Sequence, residues 1–176
     1  MSAVIEDTNN VDELIRVLNE LERLSVEIGI LGESSQLGDT NMLKIAAVHE
    51  FGIRIKVTPK MRAWFAYQGF PMKKETIEIN IPERSFIRSG WDKHVNEISR
   101  KIDGMLQSVF DLRMSPEAFY NSIGGEVAGL LQTYMTDLKN PALSTMTVTR
   151  RKNNSSNPLI DSGDLSQRIT WKVVKG

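Results

Sequence analysis

Residues 89–138 have the sequence SGWDKHVNEISRKIDGMLQSVFDLRMSPEAFYNSIGGEVAGLLQTYMTDL, and this stretch decides the fold. In its first half, apolar side chains recur alternately four and three positions apart, which predicts a long amphipathic helix over about Ser89–Phe110. The apolar seam of that helix consists of Trp91, Val95, Ile98, Ile102, Met105 and Val109.

A second long helix is predicted to begin at Ser115, because a serine followed by proline and glutamate is typical of a helix start. Asn140-Pro141 ends it, since proline cannot continue a helix. Gly124 and Gly125 each lower the helix propensity inside it by about 1 kcal/mol, so they either allow close packing or mark a bend. The apolar stripe of this helix consists of Phe119, Ile123, Val127, Leu130, Tyr134 and Leu138.

Shorter segments on both sides of the long helices alternate apolar and polar residues, which predicts strands. We expect three of them to form one antiparallel sheet and the fourth, near the carboxyl terminus, to join that sheet. The four segments are residues 25–31, 53–57, 76–81 and 169–174.

Two further helices are predicted before the long pair. An amphipathic pattern covers Val11–Leu24, where Asn10 and Glu13 have the spacing of a capping box. A short helix is expected from about Asn41 to Gly52, begun by a cap at Asp39 or Thr40. The predicted fold is therefore α+β: one domain, residues 1–176, with a small, mainly antiparallel sheet packed on two long helices.

An aromatic insertion of about residues 58–75 separates the second and third strands. It contains Trp64, Phe65, Tyr67 and Phe70, and it is too apolar for an ordinary solvated hairpin tip. One interpretation is a short helix that folds back onto the core. The other is an exposed aromatic patch that contacts a neighbouring subunit, since aromatic residues are enriched in interface cores.

A second irregular segment, about residues 141–158, is rich in Ser, Thr and Asn, which predicts an extended flexible loop. It carries the basic run Arg150, Arg151 and Lys152. An isolated run of this kind is usually a solvated surface. In a ring around a DNA passage, symmetry would instead repeat it as a positive collar that contacts phosphates without reading sequence.

Composition excludes several classes of protein. The chain has 22 basic and 22 acidic residues, which argues against a surface wholly dedicated to nucleic acid or anionic membrane. It has no cysteine, hence no disulfide, thiolate metal site or cysteine nucleophile. No run approaches the roughly 20 apolar residues of a membrane-spanning helix, and Glu6 and Asp7 do not fit a secretory signal. We expect a soluble protein made in the cytoplasm, without a membrane partner.

No pattern predicts catalysis, a metal site or a cofactor. His49-Glu50 lacks the second histidine of a zinc-protease motif, so His49 is expected to pack or hydrogen bond at a helix end. Asp161 and Asp164 are expected to serve a turn around Gly163 rather than acid/base chemistry or calcium binding. The serines of residues 32–35 do not form a nucleophile elbow. We therefore expect that the chain is not an enzyme.

Four stretches, taken together and in order, resemble one family. They are Val26-Glu-Ile-Gly-Ile-Leu31, Ala46-Ala-Val-His-Glu-Phe-Gly52, Ile81-Pro-Glu-Arg-Ser-Phe-Ile-Arg88, and Asn157-Pro-Leu-Ile-Asp-Ser-Gly-Asp-Leu165 followed by Ile169-Thr-Trp-Lys-Val173. The order is similar to that of the phage tail-component proteins of the HK97 gp10 type, also described as virion-morphogenesis or tail-completion proteins. The aromatic insertion is longer than expected in that family.

The resemblance implies a structural virion protein of the head-tail junction, a neck or tail-completion subunit without catalytic residues. It implies a homo-oligomeric ring, hexamer or dodecamer, that contacts neck, tail-terminator, tail-tube or connector proteins after assembly in the host bacterial cytoplasm. One alternative is a tail terminator or head-side connector. Another is a nucleic-acid-binding assembly module acting through the basic run.

Overall fold

The computed structural model describes residues 10–32, 36–37, 40–151 and 156–176. Its helices and strands follow one another in a mixed α+β order, which confirms the predicted fold class. The elements are α1 (Val11–Arg23), β1 (Leu24–Ile30), β2 (Gln36–Leu37), β3 (Thr40–Asn41), α2 (Met42–Phe51), β4 (Ile53–Lys56), α3 (Pro59–Tyr67), β5 (Glu78–Ile81), α4 (Arg88–Phe110), α5 (Pro116–Asp137), α6 (Thr145–Arg150), α7 (Asp164–Gln167) and β6 (Ile169–Lys175).

The two long helices, α4 and α5, form the centre of the molecule as predicted. Ser115 begins α5, because its side chain accepts the backbone N–H of Ala118 at 3.2 Å. The buried face of α5 is wider than the predicted stripe, since Leu131 and Met135 are buried beside Val127. This face supplies six of the fifteen residues of the buried hydrophobic core.

Strands β1 and β6 pair antiparallel along their full length, and they pack against α5. Gly124 permits that contact: a methyl group at its Cα would lie only 2.4 Å from Cδ1 of Trp171 on β6. The pair of glycines in α5 therefore allows close packing, the first of the two interpretations given above.

Strands β4 and β5 also pair antiparallel, as predicted, but the expectation of one common sheet is wrong. In the described part of the chain, β1–β6, β2–β3 and β4–β5 are three separate two-stranded sheets. The physical reason lies at Gly52 and residues 82–87, which direct β4 and β5 away from α5. Alternation fixes which side chains share a face of a strand, but it does not choose the neighbouring strand.

Residues 53–81 form a projecting arm. Within the described residues, neither the buried core nor the side chains packed around it include any residue of this range. The insertion does contain the predicted helix, α3, but the interpretation in which that helix folds back onto the core is wrong.

Several local predictions need correction. Asn10 precedes α1 without a side-chain cap, and Asn41 caps α2 by accepting the N–H of Lys44 at 3.0 Å; Asp39 lies outside the described residues. Segment 141–158 contains the helix α6, begun by Ser144, which its composition did not predict. Whether this segment is mobile in the isolated protein stays a prediction.

Candidate functional site: the projecting arm and its base

The base of the arm is built around one buried carboxylate, that of Glu50 in the last turn of α2. Its oxygens accept hydrogen bonds from Ser85 Oγ at 2.8 Å, Phe86 N at 2.8 Å, Ile87 N at 3.0 Å and Arg88 N at 3.0 Å. These amides begin α4, whose own N-cap residue makes no side-chain hydrogen bond. Glu50 therefore caps α4 from another helix, and its negative charge lies at the positive end of the helix dipole.

Arg88 closes the other side of this junction. Its Nε donates to Glu50 Oε1 at 3.1 Å, while Nη2 donates to the Glu50 carbonyl and to Glu83 Oε1, both at 2.9 Å. Its guanidinium also lies over the ring of Phe51 at 4.8 Å, a cation–π contact. Two of the stretches that carry the family resemblance, residues 46–52 and 81–88, are thus joined through the Glu50 carboxylate.

The hydrogen bonds also set the protonation of Glu50. Burial alone would raise the pKa of this carboxyl, but hydrogen bonds from Ile87, Arg88 and Ser85 outweigh burial and hold the pKa below its ordinary value. The carboxylate is therefore charged at neutral pH. The sequence does not reveal this role, because its only signal is a glutamate in the last turn of a mostly apolar helix.

Gly52 directs the chain from this base into the arm. Its φ is +68°, and a Cβ there would lie 2.8 Å from the backbone N of Glu83 and 3.0 Å from the carbonyl O of Ile81. Only glycine fits both the conformation and the space. The arm therefore leaves the body at a fixed angle.

The arm exposes a large apolar surface for its size. Tyr67 is 86% exposed, Ile77 is 74% exposed and Trp64 is 49% exposed, while Phe51 is also exposed at the base. Phe65 and Phe70 are half-buried and line the neighbouring groove. Of the four aromatic candidates named from the sequence, Trp64 and Tyr67 thus face outward, and Phe65 and Phe70 face the groove.

Strand β5 presents an open edge beside that groove. Val57 N donates to Ile77 O at 2.8 Å, and the register continues through Ile55–Ile79. Because hydrogen-bonded pairs alternate in an antiparallel ladder, the backbone groups of Glu78 and Asn80 point away from β4. The groove has a volume of about 1370 Å³ and lies between β5, α6 and residues 158–162.

Two arginines fasten the opposite wall of the groove. Arg84 is buried and donates to the carbonyls of Pro141 at 2.7 Å and Ala142 at 3.0 Å. Arg151 donates to the carbonyls of Asn157 and, at 3.0 Å, of Ile160. The Arg84 bonds tie the start of segment 141–158 to the body, and the Arg151 bonds hold the middle of the segment against residues 157–160.

Arg151, whose side chain alone in the basic run lies within the described part of the structure, is not a solvated cation. The Arg151 side chain is only 11% exposed and bonds to backbone carbonyls. The side chain of Arg150 and the whole of Lys152 lie outside the described part of the structure. The contact with DNA stays a prediction for those two residues.

His49 lies at the inner end of the groove. Burial, together with the charges of Arg84 and Arg151, lowers its pKa to about 4. Its Nδ1 is buried and has no hydrogen-bond partner among the described residues. His49 is thus a packed neutral imidazole; its backbone carbonyl accepts the N–H of Arg84 at 2.7 Å.

The Asp161–Asp164 turn serves local structure. Gly163 has a φ of +90°, and Ser162 Oγ donates to the Asp164 carboxylate. In the described ranges, no group of three or more His, Asp or Glu side chains could hold a metal ion. The serines of residues 32–35 lie outside those ranges.

A scan against protein-family models matches no family, and searches of curated proteins and of solved structures find no match either. Among the described helices, none combines the length and the apolar content needed to cross a membrane. The site is therefore interpreted from its own geometry. That geometry is a rigidly based arm with exposed aromatic and aliphatic side chains.

Proposed function

We propose that this chain is a structural protein of a tailed-phage head-tail junction, which assembles with copies of itself into a ring and joins the tail to the head connector. The observation that carries the proposal is the arm: residues 53–81 contribute nothing to the described core, yet they expose Trp64, Tyr67 and Ile77. Exposed apolar side chains on a projecting element are typical of subunit contacts.

The base of the arm supports the same function. A two-stranded hairpin is marginally stable alone, so an arm that transmits load between subunits needs a rigid root. Glu50, Arg88 and Gly52 supply it through partly buried hydrogen bonds and a fixed backbone direction. The resemblance of the four stretches to tail-completion proteins favours the head-tail junction among ring-forming structures.

The contacts of Arg151 make the nucleic-acid-binding alternative weaker. Its guanidinium is engaged by backbone carbonyls of the same chain, whereas a phosphate contact needs donors that face the ligand. A tail terminator or a head-side connector would use the same kind of arm, so the proposal concerns the junction and its ring rather than one layer of it.

The test is to locate the protein in particles of the phage that encodes it. Gold-labelled antibody is expected at the neck of intact particles, and removal of the gene is expected to leave heads and tails unjoined. Complementation with the wild-type chain controls for loss of neighbouring genes. Label on the capsid surface or tail tip, or normal particles without the protein, would contradict the proposal.

A further inference from the structure

A second exposed apolar surface lies on α1, at the other end of the molecule. Val17 and Leu21 face the body and pack against the core, and Tyr120 Oη donates to the Leu21 carbonyl at 3.0 Å. A different face of α1 carries Val11, Ile15 and Leu18, spaced four and three residues apart, and each of these is about half exposed. We call these three residues the α1 stripe.

Helix α3 in the arm has a matching surface. Lys60, Trp64 and Tyr67 are spaced four and three residues apart, so they share one face of α3, and all three are exposed. We call them the α3 stripe. On α1, Glu22 follows Leu18 by four residues and continues the α1 stripe. Each helix thus presents an apolar stripe with a charged residue at one end. Lys60 lies at the start of the α3 stripe and Glu22 at the end of the α1 stripe, and their charges have opposite signs.

The net charges of the two elements also have opposite signs. The arm, residues 53–81, has six basic side chains and two acidic ones, whereas α1 has four acidic and two basic side chains. The charged residues of the arm are Arg54, Lys56, Lys60, Arg62, Lys73 and Lys74 against Glu75 and Glu78; those of α1 are Asp12, Glu13, Glu20 and Glu22 against Arg16 and Arg23.

The arm base and the start of α1 lie at opposite ends of α4. The arm begins beside the first residue of α4, where Arg88 contacts Phe51. The start of α1 lies beside the last residue of α4, since Val11 and Phe110 line one small cavity. A helix of 23 residues separates them by roughly 34 Å at 1.5 Å per residue.

We infer that the α3 stripe of one copy docks antiparallel on the α1 stripe of the next copy, with Lys60 paired to Glu22. This inference rests on the proposed function, because it assumes self-assembly. Two different complementary surfaces at opposite ends of a subunit give a heterologous, head-to-tail contact, and such contacts form a ring when the rotation between neighbouring subunits closes. The antiparallel orientation follows from the charges, because Lys60 lies at the start of α3 and Glu22 at the end of α1.

The absence of cysteine from the sequence makes a direct test possible. Ala63→Cys and Asn19→Cys place single thiols at exposed positions beside the two stripes. The two variants, differing in mass through a tag on one, are mixed and oxidised at the highest concentration at which the protein stays in solution. We expect the mixed disulfide as the main product, and neither variant alone should form a comparable dimer.

Charge exchange provides the second measurement. Glu22→Lys, combined with the Asn19→Cys variant, is expected to lower the yield of the mixed disulfide roughly fivefold. Adding Lys60→Glu to the Ala63→Cys partner should restore it. Glu13→Lys is the matched control, because it makes the same change on the opposite face of α1 and should leave the yield unchanged.

The outcomes separate this inference from the proposed function. Homotypic dimers equal in yield to the mixed product, or no mixed product, would overturn the docking of α3 on α1 even if the label lies at the phage neck. A mixed disulfide that depends on Lys60 and Glu22 would uphold the docking even if the protein is absent from particles.

Discussion

Oε1 of Glu50 accepts both the backbone N–H and the Nε–H of Arg88, at 3.0 and 3.1 Å. One residue of α4 thereby bonds the same carboxylate oxygen through its main chain and its side chain. The backbone bond caps α4, and the side-chain bond pairs the positive guanidinium with the negative carboxylate. The start of α4 and the end of α2 therefore behave as one rigid unit. That unit fixes the direction in which the arm leaves the body.

Loss of the Glu50 carboxylate should destabilise the whole domain. Glu50→Ala leaves buried amides of Phe86 and Ile87 without an acceptor, and we expect the free energy of unfolding to fall by about 3 kcal/mol. Glu50→Gln should cost less, because an amide oxygen still accepts. Denaturant unfolding measures both. Glu83→Gln is the control, because the Glu83 side chain bonds the same Arg88 but is 55% exposed. A loss of stability equal to that of Glu50→Ala would contradict this account.

Acid should weaken the same junction. The pKa of Glu50 is lower in the folded protein than its ordinary value near 4.5, so the unfolded chain binds the proton first as pH falls. The stabilisation is complete above that value and is lost as pH falls through the folded pKa. Unfolding curves should therefore show a loss of stability below about pH 4.5 in the wild type that is much smaller in Glu50→Gln.

His49 should produce a separate pH dependence at higher pH. Its pKa is lowered to about 4 in the folded protein from 6.5, so protonation favours the unfolded chain and stability declines as pH falls from 6.5 towards 4. His49→Leu removes the titrating group and a buried Nδ1 without a partner among the described residues. Stability of this variant should be nearly constant over that range; an unchanged slope would contradict the assignment.

The glycines of α5 allow a paired test of packing. Gly124→Ala brings a methyl group within 2.4 Å of Cδ1 of Trp171, and we expect it to cost about 1–3 kcal/mol of stability. Gly129→Ala, on the exposed face of the same helix, meets no atom within 4 Å. It should instead stabilise by about 0.5–1 kcal/mol through helix propensity. Thermal unfolding measures both changes in stability. A stabilising Gly124→Ala or a destabilising Gly129→Ala would contradict this account.

Some of these features could be predicted from the sequence and others could not. Periodicity located α4, α5 and the α1 helix, because those patterns depend only on neighbours along the chain. It could not place β4 and β5 in a separate sheet, since that choice depends on the conformation of Gly52 and on contacts between residues 46–52 and 81–88. The role of Glu50 was invisible for the same reason: its partners are 35 or more positions away in sequence.

The last prediction separates the stability of the subunit from its assembly, by comparing exposed arm residues with the half-buried Tyr120. Tyr67→Ser together with Ile77→Thr changes two exposed arm residues, so the free energy of unfolding should shift by no more than about 0.5 kcal/mol. Tyr120→Ser removes a half-buried ring whose Oη bonds the Leu21 carbonyl, and it should cost about 2–3 kcal/mol. In complementation of the deleted gene, however, the stable arm variant should fail to join heads to tails, because the subunit contact is lost. Full complementation by that variant would show that the arm surface has no part in assembly.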